Sequence, residues 1–244
     1  MSASLLYVCV RPQRHAADAE YESFRSGLGV APGVLDRHDL VRDPLAPDAV
    51  DRYDGFVVGG SPFNVTDPDD RKTDAQRRLE ADLETIAAGA AASRTAALFT
   101  CFGIGVVTRL LGGTVTRAHP EATGPTTIAV TEAGRRDALL GAVGGPFAAL
   151  TAHKEGSAEV PPDATLLATN DACPVQAYRV GERLWATQFH PESTPLAFTQ
   201  RMAVYRDGGY FPSREYDTIA ARVMEAAITE PPRLLTAFAE RFAA

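Results

Sequence analysis

The chain has 244 residues, 45% of them hydrophobic and 23% charged, which is the composition of a globular protein and excludes a disordered or fibrous one. Its 24 Lys and Arg against 31 Asp and Glu leave a formal charge of −7, which argues against nucleic acid or an anionic membrane surface as a partner. The apolar runs fall short of the roughly 18 residues that cross a bilayer, and the N-terminus lacks the basic region and cleavage site of a signal peptide, so the cytoplasm is the expected compartment.

In chain order, Leu5–Val10 reads as a buried strand, and Ala17, Tyr21, Phe24 and Leu28 fall at helical spacing after it. Gly55–Val58 is a second apolar run, ended by Gly59-Gly60-Ser61-Pro62. The charged stretch 67–71 reads as a solvated loop before a long helix over 71–92, whose Leu79, Leu83 and Ile86 share one face. Thr95–Phe99 is a third buried strand and runs into a short helix, Gly103–Leu111, closed by Gly112-Gly113. Continuous apolar strands separated by helices predict an α/β fold with three layers, a mostly parallel sheet flanked by helices.

The second half is richer in strands. Thr127–Val130, Ala148–Thr151 and Thr165–Ala168 are candidates, and Val175–Val180 with Leu184–Gln188 flank Gly181-Glu182 as a hairpin. Helical patterns return over 195–205, 215–228 and 233–242. Without a repeat or a linker, the chain reads as one domain, 1–244, with a core over about 5–192 and a helical C-terminal extension over about 193–244. The last helix has core spacing at Leu234, Leu235, Phe238 and Phe242. The segment before it reads as a peripheral elaboration.

The three cysteines, Cys9, Cys101 and Cys173, are odd in number and form no CxxC, so neither a disulfide framework nor a zinc site is expected. His15, His38 and His119 have no partners at metal-ligand spacing, and no metal or cofactor is expected. Gly103-x-Gly105 is only a fragment of a dinucleotide fingerprint. Cys9 and Cys173 read as packing residues. Cys101 differs, because a strand ends just before it and Gly103 opens a helix just after it. A side chain on such an elbow projects above the sheet edge toward the helix N-terminus, which favours thiolate. A buried structural thiol is the competing reading.

A partner lies in Trp185–Ser193. Pro191 biases His190 toward an extended conformation, and residues two apart on an extended segment face the same way. Glu192 is thereby placed to orient His190, the base-plus-orienter half of a Cys–His–acid triad.

Together these segments resemble the class I glutamine amidotransferases, triad-type enzymes that hydrolyse glutamine to supply ammonia, and among them the GMP-synthetase-like glutaminase domains. Cys101, Gly103 and Leu111-Gly112-Gly113 fit the family's elbow, which resembles G-x-C-x-G-x-Q and a helix ending in L-G-G. Gln188-Phe189-His190-Pro191-Glu192 fits its Q-F-H-P-E, and Gly59-Gly60-Ser61-Pro62 its oxyanion loop. His153-Lys154-Glu155 with Val160-Pro161, and Ala172-Cys173-Pro174-Val175-Gln176, resemble the stretch before the catalytic His. The resemblance implies a flavodoxin-like fold, with Cys101 as nucleophile, His190 as proton carrier and Glu192 as orienter. It further implies the backbone amides of Gly60 and Phe102 as oxyanion donors, and Gly59, Gly105, His153, Lys154 and Glu155 on the substrate side. For His153 a structural hydrogen bond is an equal alternative.

Two positions depart from the family. Phe99 stands where the elbow has Gly, which requires a smaller neighbour or a displaced elbow. Gly105 stands where a Gln helps to bind glutamine. The expected function is therefore hydrolysis of the glutamine side-chain amide, with ammonia passed to an acceptor or a synthetase partner. The alternatives are hydrolysis of another γ-glutamyl amide or peptide, and a non-catalytic binding protein on the same scaffold.

Overall fold

The structure, a computed structural model, describes residues 4–31 and 33–243. In the first strand, β1 (Leu5–Cys9), every residue is buried. Leu5, Tyr7 and Cys9 enter one core while Leu6 and Val8 enter another, because successive strand side chains point to opposite faces. A run apolar at every position therefore demands cover on both sides. On one side that cover is α1 (Arg14–Leu28) and α8 (Pro232–Phe242); on the other it is α3 (Asp74–Ala91) and α4 (Phe102–Leu110).

The described residues form one nine-stranded sheet. With β2 (Leu35–Asp39), β3 (Gly55–Val58), β4 (Ala96–Thr100), β5 (Glu121–Val130), β6 (Phe147–His153), β7 (Ala164–Thr169), β8 (Ala177–Val180) and β9 (Leu184–Thr187), the order is β2-β1-β3-β4-β9-β8-β7-β5-β6. Pairing is parallel from β2 to β9 and antiparallel beyond it, so that only β8 and β5 run against the rest. The three-layer, mostly parallel architecture matches the expectation. A third, smaller core joins Leu150 of β6 to Phe198 and Met202 of α6 (Pro195–Val204) and Ile219 and Val223 of α7 (Tyr216–Glu225).

Local signals explain most boundaries. Helix α3 starts at Asp74, not at 71, because the Thr73 hydroxyl caps it by accepting from the Gln76 amide. The β8–β9 hairpin turns on Gly181, whose φ of 56° favours glycine. Strand β2 carries no apolar signal: LDRHD is polar because it lies at the sheet edge, where charges discourage further pairing. The last helix packs as its spacing predicts, with Leu234, Leu235, Phe238 and Phe242 all buried. A β-carbon built on Gly55 would lie 3.2 Å from the Phe238 ring, so strand and helix meet at van der Waals contact.

This topology positions the site. Strands β1, β3, β4 and β9 lie side by side and parallel, so the segments that follow them emerge at one edge. Those segments carry Arg11, Gly59-Gly60, Cys101 and His190. The carboxyl edge of such a sheet is where α/β proteins bind ligands. Among the described residues no helix is long and apolar enough to cross a membrane.

Candidate active site

Cys101 joins β4 to α4 at φ 51° and ψ −103°. A non-glycine residue there carries strain of about 1–3 kcal/mol, which the surroundings must impose. The Cys101 amide donates to the Thr187 carbonyl at 2.8 Å, tying the turn to β9. The side chain is almost fully buried and lies at the start of α4, where the first amides have no intrahelical acceptor.

His190 follows β9, and its amide donates to the Leu150 carbonyl. Its Nδ1 lies 2.9 Å from Glu192 Oε1, with both residues buried. Burial alone would lower the pKa of this imidazole. The Glu192 carboxylate, then the Cys101 sulfur, outweigh that and raise it to about 9. Burial likewise opposes ionisation of Glu192, yet His190 and then Arg201 hold its carboxyl well below the usual range.

Two narrow chambers meet at Cys101. His190, Arg11, Arg201, Tyr205 and Phe211 line the first; Phe102, Gly105, His153, Lys154 and Glu155 line the second; Ser61, Ala152 and Tyr210 belong to both. Their free volumes are about 40 and 20 Å³, room for a few waters each. The roof is the segment 205–211. The Tyr205 hydroxyl donates to Gln13 at 2.7 Å, and Lys154 Nζ donates to the Gly208 carbonyl at 2.7 Å and sits 4.3 Å from the centre of the Tyr210 ring. The extension is therefore not peripheral. Its aromatic and basic side chains form one wall of the site.

Residues 36–204 match the family profile described as Glutamine amidotransferase class-I. The chain belongs to that family. Gamma-glutamyl peptidase 3 of Arabidopsis thaliana is 30% identical over 166 residues, 63% of this chain and 62% of that protein; the match thus spans under two thirds of that relative's length. A glutamine amidotransferase from Thermotoga maritima superposes with a TM-score of 0.78 over 100% of this chain and 99% of that one, at 15% identity. A putative GMP synthase protein from Thermoplasma acidophilum gives a TM-score of 0.61 over 85% and 98%, at 23% identity. At these identities the solved structures share the fold.

Against the family's sequence pattern, the Phe99 departure has a local answer. Phe99 is fully buried, and a β-carbon built on Gly103 would lie 3.0 Å from its Cβ and Cδ1. The smaller neighbour is Gly103, one helical position past Phe102. At Gly105 a built β-carbon meets Val65 at 3.1 Å and Glu155 Oε1 at 3.5 Å. Buried Glu155 accepts from the Val65 and Thr66 amides and the Thr66 hydroxyl. Burial pushes its carboxyl above the usual range against those donations.

The family's glycine loop behaves less simply. Gly59 lines neither chamber; a β-carbon there would lie 2.1 Å from Glu20 Oε2, so this glycine makes room for a buried carboxylate. The Gly60 amide points at Glu20 Oε1, 3.3 Å away, and is not directed at either chamber. His153 gives both ring nitrogens to the protein, Nε2 to Glu121 at 2.7 Å and Nδ1 to the Glu155 carbonyl at 2.8 Å. It shapes the second chamber from behind.

Two residues escaped sequence reasoning. Glu20 accepts from Tyr7, Arg11 and Gly60 and is fully buried. Arg201 reaches Glu192 Oε1 at 3.0 Å and Glu20 Oε1 at 3.5 Å. A signal for Arg201 existed: on α6 it shares one face with Phe198 and Met202, an apolar stripe where a cation needs a buried partner. Among the described residues, two groups bring metal-type ligands together, Glu121–His153–Cys173 and Glu20–His190–Glu192. In the first, His153 and Glu121 are already bonded to protein partners. In the second, two guanidinium groups hold the positive place.

Proposed function

We propose that the chain is a thiol-dependent amide hydrolase that cleaves the side-chain amide of glutamine, with Cys101 as nucleophile, His190 as proton carrier and Glu192 as its orienter. The observation that carries this reading is the 2.9 Å His190–Glu192 contact on a ring that shares a chamber with the strained Cys101. Membership of the class I glutamine amidotransferases supports it.

The Cys101 thiolate attacks the amide carbon, and the carbonyl oxygen becomes an oxyanion. In this reading the Phe102 amide, first in α4, donates to it, a contribution of about 3 kcal/mol. Gly60 would serve as a second donor only by turning its amide away from Glu20. His190, doubly protonated, gives its Nε2 proton to the leaving nitrogen as the C–N bond breaks. Ammonia departs and a thioester remains. Water then attacks the thioester with His190 as base, the C–S bond breaks, and glutamate leaves. Since His190 lines the first chamber, the leaving amine occupies that side and the γ-glutamyl group the second. The ammonia passes to an acceptor or a synthetase partner.

A second reading, a γ-glutamyl peptide as substrate, is favoured by the aromatic wall of the leaving-group chamber and by the likeness to a gamma-glutamyl peptidase. Ammonia needs no such wall. The test is ammonia release from glutamine, beside amine release from a panel of γ-glutamyl peptides, for the wild type and Cys101→Ala. Turnover abolished in the variant is expected; equal turnover in both refutes the assignment.

A further inference from the structure

Glu20 and Glu192 are both fully buried, and their oxygens lie within 4.8 Å of each other and of the His190 ring. Two buried carboxylates this close repel, and without a cation between them one takes up a proton. Arg11 holds Glu20, with Nε and Nη2 each 2.8 Å from Oε1, and Arg201 from α6 lies between the two carboxylates, with Nη2 at 3.0 Å from Glu192 and 3.5 Å from Glu20. Its Nη1 also lies 3.1 Å from His190 Nδ1. A ring nitrogen that donates to Glu192 cannot accept from Arg201, so this approach is packing of the guanidinium edge and not a hydrogen bond. His190, Arg201 and the Ser193 hydroxyl all converge on Glu192 Oε1.

We propose that Arg201 is a positioning residue: by bridging Glu192 and Glu20 it holds Glu192 against His190. The inference rests on the triad reading above. It also links the glycine loop to the triad, because the Glu20 oxygen that Arg201 approaches, Oε1, also accepts from the Gly60 amide. The charged and titratable groups facing this pair are His190 beside Glu192, Arg201 from α6, Glu20 from α1, Arg11 beyond β1, Tyr7 on β1 and Cys101 across the ring.

The experiment follows alkylation of Cys101 by iodoacetamide, read by mass spectrometry across the titration range of His and Cys, for the wild type, Arg201→Gln, Glu192→Gln and the double variant Glu20→Gln/Arg201→Gln. With Arg201 gone, repulsion from Glu20 draws Glu192 away from the ring, and it supports the imidazolium beside the sulfur less well. The midpoint of the alkylation curve should rise by about one pH unit, a roughly tenfold slower reaction below the midpoint. Removing Glu20 as well relieves the repulsion and should return most of that shift. A merely structural role would lower the melting temperature and leave the midpoint in place, and an unmoved midpoint in Arg201→Gln overturns the proposal. If that variant does not fold, the double variant decides: a midpoint near the wild type supports the bridge, and one coinciding with Glu192→Gln overturns it. Alkylation needs no substrate, so failure to hydrolyse any γ-glutamyl compound would refute the functional reading and leave this test intact.

Discussion

A side chain at position 60 would run into the His190 ring: a β-carbon built there lies 2.7 Å from Cε1 of His190 and 2.8 Å from Arg11 Nη2. The absence of a side chain at Gly60 is therefore what allows the imidazole to stand over Cys101. Gly60→Ala should displace the ring, and a displacement of about 1 Å costs roughly 100-fold in rate. Hydrolysis should fall by that order, a larger effect than the overpacking cost of about 1–3 kcal/mol read as a lowered denaturant midpoint. Undiminished turnover would show that the ring's placement is not critical.

The His190 imidazole, raised to about 9 by Glu192 and Cys101 against the pull of burial, sets an alkaline limit. In the proposed mechanism its proton goes to the departing amine, so activity should decline as pH rises through about 9. The stability it lends has the same sign: present below the ordinary value of 6.5 and lost through about 9. Glu192→Gln removes the main raising charge and should move the alkaline limb down toward 6.5. An NMR titration of the His190 Cε1 proton checks both values directly.

Phe99 and Gly103 share one volume beneath the elbow. Gly103→Ala adds a methyl group where a helix would otherwise welcome it, and overpacking should cost about 1–3 kcal/mol. Chemical denaturation of Gly103→Ala, Phe99→Leu and the double variant should show the pair costing less than the sum of the singles. Additive losses would mean that the two side chains do not compete for space.

Lys154 tethers the roof through the Gly208 carbonyl and the Tyr210 ring. Such a contact is worth about 1 kcal/mol, so Lys154→Ala should open the roof and speed alkylation of Cys101 roughly fivefold. A rate equal to the wild type would mean that access does not pass beneath the 205–211 segment.

Much of this arrangement was legible in the residue order because it rests on short-range chemistry. The apolar runs ending at Val10, Val58 and Phe99, the glycine two positions past Cys101, and Pro191 between His190 and Glu192 each act within a few residues. What stayed hidden was set by long-range pairing. Glu20 and Arg201 are 181 residues apart in the chain and meet only because α1 and α6 pack beside the same sheet edge. Strand β2 carries too few apolar residues to announce itself, since only one end of it is buried. The Gly124-Pro125 pair hid the first half of β5, which pairs with β6 across a shift of register between Glu121 and Gly124.

Because the ceiling over the sulfur is contributed by residues 205–211 and the proposed triad by segments that follow the strands of the sheet, bond breaking and molecular selection would reside in separable stretches. Exchanging residues 205–211 between relatives of this fold, with Arg201 left in place, should therefore redirect which amine is released while the proposed triad stays as it is.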